Sequence, residues 1–199
     1  MEIEVKFKLT NMKAMEDSIK RSGAKKISSE HEEDFYFDDR KRTLRGKVLV
    51  LRIRRIGRRG ILTMKYSFKK KSKRFKMVEE IEIPTNDFHN LRFIFEKLGY
   101  RIDGFKEKRR QTFHLNNVKI LIDRLPFLGF WMELEGGVPD IEKVARKLNL
   151  KMADANTLSY GQLFARFLKD HASELKPYKR RVDIFSFECE KRTGLFPYR

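Results

Sequence analysis

A chain of 199 residues, 40% of them hydrophobic and seventeen of them Phe, is long enough for one domain with a sizeable core and too apolar to be disordered. Its formal net charge of +18 favours polyanionic partners such as nucleic acid, nucleotides, polyphosphate or an anionic membrane surface. One cysteine, Cys189, excludes a disulfide framework, and no apolar run approaches the roughly 18 residues of a membrane span. We therefore expect a reducing, cytoplasmic setting, with neither a signal peptide nor room for a transit segment before Glu2.

The first predicted element is a strand. Side chains alternate along it, so Glu2, Glu4 and Lys6 share one face while Ile3, Val5, Phe7 and Leu9 form an apolar face opposite. Two carboxylates and an ammonium then stand in a row at roughly 7 Å spacing, an arrangement able to hold a divalent cation and a phosphate chain together. Asn11 caps a predicted helix bearing Met12, Met15 and Ile19, and Gly23 ends it. Extended segments are predicted near 33–39, 47–56, 61–69 and 76–84, a helix over 87–98, and further strands near 105–115, 118–124 and 129–136. Gly136 and Gly137 break that run. Helical spacing returns at Ile141, Val144, Ala145 and Leu148, and a last helix is predicted over 157–175. The stretch from Val182 to Glu190 alternates, which leaves it either an added strand or a mobile tail.

The charged face of the first strand has counterparts. Arg52 and Arg54 alternate with Leu51 and Ile53, Thr63 and Lys65 with Leu62 and Met64, and Glu133 and Glu135 with Met132 and Leu134. Glu80 and Glu82 flank Ile81, Lys108 and Arg110 share a face, and Tyr36 lies between Asp34 and Asp38. Asp123 stands on the face opposite Ile120 and Ile122. These faces are almost wholly ionic, whereas a solvated sheet face would mix in Thr, Ser, Gln and Asn. An antiparallel sheet curled into a closed barrel, with charges lining its interior and helices packed outside, accounts for the pattern. Such a lumen must pair its charges or bind a ligand.

The sequence resembles the CYTH superfamily, the triphosphate tunnel metalloenzymes. Glu2, Glu4 and Lys6 supply its ExExK signature, and Asp34-Phe35-Tyr36-Phe37-Asp38 is similar to its DxYFD strand. Leu51-Arg52-Ile53-Arg54, Leu62-Thr63-Met64-Lys65 and Glu80-Ile81-Glu82 are similar to its LRIR, LTxK and ExE strands. Lys108-Arg109-Arg110 with Phe113 resembles KxRxxY with Phe for Tyr; Ile122-Asp123 and Leu128 to Glu135 resemble the LD and LGxFxEIE segments; Ser159-Tyr160 resembles the SY before the final helix.

The resemblance implies an α+β protein built on a closed eight-stranded antiparallel β-barrel, spanning residues 1–175. Residues 176–199 form an extension with no counterpart. It implies cleavage of a phosphoanhydride bond of a linear triphosphate, with Mg²⁺ or Mn²⁺ as cofactor. Lys6, Arg52, Arg54, Lys65, Lys108 and Arg110 would bind the phosphates, joined by Arg74 from the basic tract 69–76 unless that tract is only a solvated loop. Glu2, Glu4, Asp123, Glu133 and Glu135 would hold the metal, with Glu80 and Glu82 as further ligands or water-positioning groups. Lys6 and Tyr36 are the expected catalytic pair, with Tyr36 beside the Lys6 ammonium. The implied partner is a triphosphate-containing small molecule, to a monomer or homodimer. A class IV-type adenylyl cyclase is the alternative. An RNA-binding module, suggested by the basic run Arg52–Arg59, is a third reading that leaves the paired glutamates without a purpose. No Walker motif and no Ser-His-Asp or Cys-His arrangement is present; among four scattered histidines only His114 shares a charged face.

Overall fold

The computed structural model describes residues 2–67, 74–178 and 184–195. In chain order the elements are β1 (Glu2–Leu9), α1 (Met12–Arg21), β2 (Lys25–Asp38), α2 (Thr43–Gly46), β3 (Leu49–Ile56), β4 (Arg59–Ser67) and β5 (Lys76–Thr85). There follow α3 (Phe88–Lys97), β6 (Arg101–Leu115), β7 (Val118–Leu125), β8 (Gly129–Glu135), α4 (Val138–Lys147), α5 (Tyr160–Asp170) and α6 (Phe187–Thr193). The strands close into an antiparallel barrel in the order β1-β5-β4-β3-β2-β6-β7-β8.

Register places like-facing residues side by side. Lys6 lies opposite Glu133, Arg110 opposite Asp123, Lys65 opposite Glu80, and Asp34 opposite both Arg54 and Lys106. The alternation read along each strand thus becomes one continuous inner wall. The β1–β5 seam is short, pairing only Glu2 to Glu4 with Val78 to Lys76. Beyond it Asn156 takes over, exchanging backbone hydrogen bonds with Lys6 in both directions.

The apolar faces turn outward beneath the helices. Val5, Phe7, Ile120, Ile122, Met132 and Leu134 pack under α1 and α4 through Ile19, Ile141, Val144 and Ala145. Phe37 and Ile53 pack under α3 through Phe95. Each such side chain contributes about 1.5–3 kcal/mol by leaving water. Asn11 caps α1 by accepting the Ala14 N–H, and Asp87 caps α3 through the Asn90 N–H.

Three expectations change. β2 and β6 are 14 and 15 residues long and begin well before the predicted starts. α5 stops at Asp170 rather than 175, because the chain turns back at His171 to bury Leu175. The described part of 182–190 is neither strand nor loose: Ser186 caps α6 by accepting the Cys189 N–H, Glu188 and Glu190 occupy its first turn, and Gly194 at φ 66° ends it. Period-two charge concealed these helix signals.

Candidate active site: a charged tunnel

At the centre of the lumen stands Asp34, which has no exposed side-chain surface. Arg54 grips it through Nε at 2.7 Å and Nη2 at 3.2 Å, Lys106 reaches it at 2.9 Å, and the Tyr36 hydroxyl donates to it at 3.3 Å. Glu32 receives Arg54 and Lys108, both at 3.0 Å. Arg110 holds Asp123 through Nε at 2.7 Å and also contacts Glu133. Lys6 bridges Glu4 at 2.6 Å and Glu133 at 3.0 Å. Nearer the open end, Lys65 pairs with Glu80 at 2.5 Å and Glu2 at 3.5 Å, and Arg52 donates to Thr63 and approaches Glu80 and Glu82. Lumen charges pair almost one for one, so the lumen itself supplies little of the net +18.

These pairs fix the protonation states. Burial opposes ionisation of Asp34 and Glu133, but the cations around them outweigh it and hold both well below the usual carboxylate range. Glu4 and Glu32 are similarly lowered to about 2 despite burial, Glu4 by Lys6 and Lys76, Glu32 by Lys108, Arg110 and Arg54. Burial and the neighbouring Arg110 lower Lys108 to about 8, while Glu133 and Glu4 overcome burial and raise Lys6. Tyr36 and Tyr160 are both raised, chiefly by burial, and stay protonated.

The open end differs. Glu2, Glu4 and Glu135 each offer a carboxylate oxygen within 4.8 Å of the others. Burial and the neighbouring Glu80 push Glu2 up to about 7, and burial with Glu133 raises Glu135. Three hard oxygen donors, two of them reluctant to ionise without a cation, suit Mg²⁺ or Mn²⁺. Beside them lies a cavity of about 650 Å³ lined by Glu80, Glu82, His114, Asn116, Asn117 and Lys119.

The structure thus gathers Glu2, Glu4, Lys6, Tyr36, Arg52, Arg54, Lys65, Glu80, Glu82, Lys108, Arg110, Asp123, Glu133 and Glu135 in one lumen. Within it, Asp123 and Glu133 are committed to cations rather than to the three-carboxylate cluster. Arg74 is not brought in; its exposed guanidinium pairs with Glu142 of α4 at 2.8 Å. The rest of the basic loop, 68–73, lies outside the described residues. Tyr36 does not meet Lys6: its hydroxyl accepts from Lys106 at 2.7 Å, and the ring against Lys6 is that of Tyr160, 5.3 Å from the ammonium. The basic run Arg52–Arg59 is no single surface either, since Arg52 and Arg54 are buried inside and Arg55 is clamped to Glu33.

Glu32, Lys106 and Tyr160 were missed. Glu32 and Lys106 continue the period-two faces of Asp34 and Lys108: Glu32 lies one residue before the predicted strand, and Lys106 lies inside one but outside the family motif that begins at Lys108. Tyr160 was marked only by the SY resemblance and given no role, because a helix rather than a strand face delivers it.

The sequence matches the CYTH domain over residues 1–164. It is 31% identical over 152 residues, 76% of this chain and 86% of the other, to a Methanocaldococcus jannaschii protein provisionally named an adenylate cyclase. A solved Pyrococcus horikoshii structure is 30% identical, with a TM-score of 0.69 over 80% of this chain and 97% of its own. A Hippeastrum protein, 16% identical, shares the fold at a TM-score of 0.63 over 84% of this chain and 96% of its own, and is described as having a dominant triphosphatase activity.

Proposed function

The chain belongs to the CYTH domain family, and from that premise we propose that its tunnel is a divalent-metal-dependent hydrolase site for a linear triphosphate. The candidate substrates are inorganic tripolyphosphate, a nucleoside triphosphate and thiamine triphosphate. One observation carries this reading: a three-carboxylate cluster at Glu2, Glu4 and Glu135 stands beside a row of the buried Lys6, Lys108 and Arg54 with the half-buried Arg110. Carboxylates alone would repel the phosphates, and cations alone would have no use for the cluster.

When bound by Glu2, Glu4 and Glu135, the metal would neutralise phosphate oxygens and polarise the bond under attack. Arg54, Arg110 and Arg52 offer forked donors to the phosphate oxygens, while Lys6 and Lys108 act as point charges. Their carboxylate partners hold them in place beforehand, so little reorganisation is needed when the substrate enters. Entry of phosphate also favours the charged form of Lys108. Glu80 and Glu82 position a water and take its proton. The water oxygen bonds to the terminal phosphorus, the bond to the bridging oxygen breaks, and diphosphate or a nucleoside diphosphate leaves with that oxygen. Tyr36 keeps Lys106 and Asp34 in register.

A panel of these triphosphates, with product identification and with and without EDTA, tests the proposal. We expect metal-dependent orthophosphate release from at least one; no release from any with Mg²⁺ or Mn²⁺ between neutral and alkaline pH would sink it. Adenylyl cyclase is favoured as a second reading by the named archaeal relative and by the 650 Å³ cavity, which has room for a nucleoside. Chromatography of products from ATP separates the two, since cyclisation gives cyclic AMP with diphosphate rather than ADP or AMP.

A further inference from the structure

Exposure falls steeply along the lumen. Side-chain exposure is 44% for Glu82, 24% for Glu2 and 15% for Glu135, then 5% for Glu4, 2% for Lys6 and 0% for Asp123. Behind Lys6 stands the buried Tyr160 at the start of α5, with the Lys6 and Lys106 ammoniums 5.3 and 5.8 Å from its ring and Trp131 beside it.

Its helix, α5, is held from outside by residues beyond the family match, which ends at residue 164. Phe185 stacks on Phe164 of α5 with centroids 4.0 Å apart and planes 8° from parallel. The Phe185 carbonyl accepts the Glu107 N–H, and the Glu107 carboxylate accepts the Phe187 N–H, tying the segment to β6. The Phe187 ring lies near the guanidiniums of Arg109 and Arg124. Glu190, only 3% exposed, accepts from Arg124 at 2.7 Å and from the Phe127 N–H at 2.5 Å. Phe127 sits at φ 61°, a strained conformation for a non-glycine residue, and its ring faces Phe164 and Phe167 of α5. A buried carboxylate, a strained turn and a stacked ring pair all converge on one helix.

We propose that residues 184–195 are a strap that sets substrate specificity by fixing Tyr160 as a plug, making the tunnel single-mouthed. The inference rests on the proposed triphosphatase reading. A phosphate chain then enters end-first and stops at Tyr160, and a long polyphosphate cannot be threaded through for cleavage in its interior. Glu190 is a positioning residue, acting through Phe127 and α5 on a tunnel it does not touch.

The experiment uses the full chain as wild type, Glu190→Ala, Glu190→Gln and Phe185→Ala, each checked for cooperative melting. Polyphosphate of about 60 units is the probe, its cleavage followed on gels, because pocket shape alone can set discrimination of about tenfold or more. Wild type should shorten the chain only from its ends. The Ala variants should generate mid-length fragments, with Glu190→Gln intermediate. Mid-length fragments from wild type, or end-trimming alone by folded Ala variants, would overturn the strap. Trp131, the only tryptophan, gives a readout independent of catalysis. Acrylamide should quench it weakly in wild type and several-fold more in Glu190→Ala; equal quenching in the folded proteins overturns the strap even if no substrate is cleaved. If wild type cleaves nothing while quenching does rise, the triphosphatase reading has failed and the strap has not.

Discussion

At the mouth of the tunnel Glu2, Glu80, Glu82 and Glu135 crowd together and share Lys65, Arg52 and the half-exposed Lys119, and two of these carboxyls resist ionisation. A few residues deeper, carboxylates of the same type are clamped by Lys6, Arg54 and Arg110 and lose their protons readily. The residue chemistry is the same and the states are opposite. What differs is company: in the interior several buried cations around each carboxylate outweigh the desolvation penalty, whereas at the mouth burial and neighbouring carboxylates outweigh the single cations Lys65 and Lys119. The mouth is therefore poised for a cation from solution. The interior is already satisfied, and accepts phosphate as further partners of cations held in place.

Removing one member of the interior should have the largest effect. Asp34→Ala leaves the buried Arg54, Lys106 and Arg52 facing one another, and should lower stability by about 3–5 kcal/mol in urea denaturation. Excess tripolyphosphate should restore part of that loss; a destabilisation below about 1 kcal/mol would mean the pairs matter little. Next come the junction residues. Glu4→Gln and Glu133→Gln should fold yet lose about 10²–10³-fold in turnover with Mg²⁺, whereas an RNA-binding protein would bind equally well or better.

The mouth should reveal itself through pH. The folded-state carboxyl of Glu2 titrates near 7 against 4.5 in the unfolded chain, so the folded state binds the extra proton in that window. Its contribution to stability therefore falls as pH rises from 4.5 to about 7. Mg²⁺, which favours the carboxylate, should raise Tm by a few more degrees (about 2–5) at pH 8 than at pH 6. An Mg²⁺ shift independent of pH would contradict the contrast between mouth and interior. Arg74→Ala should have the smallest effect, within about 0.5 kcal/mol, because its partner Glu142 lies on an exposed surface. A large loss of activity there would return Arg74 to the phosphate site.

The inner wall was legible in the sequence because alternation along a strand is fixed by the pleat of the backbone, so Glu2, Arg52, Lys65 and Glu133 declared their common face locally. Glu32 fell outside because its strand runs longer than its apolar pattern suggests, and Lys106, although inside a predicted strand, because it precedes the Lys108–Arg110 motif. Arg74 was misplaced for the converse reason: a basic loop announces charge but not direction.

By itself, then, the sequence determined which residues face inward, which face the helices, and that the lumen must be ionic. Only the tertiary structure decided which charge meets which. Barrel closure and stagger bring Lys6 to Glu133 and Asp34 to both Arg54 and Lys106, across separations that no local pattern encodes. It likewise decided that Tyr160 comes to Lys6 and Trp131 and that Glu190 reaches Arg124 and Phe127. Those contacts join segments dozens of residues apart, and packing rather than periodicity selects them.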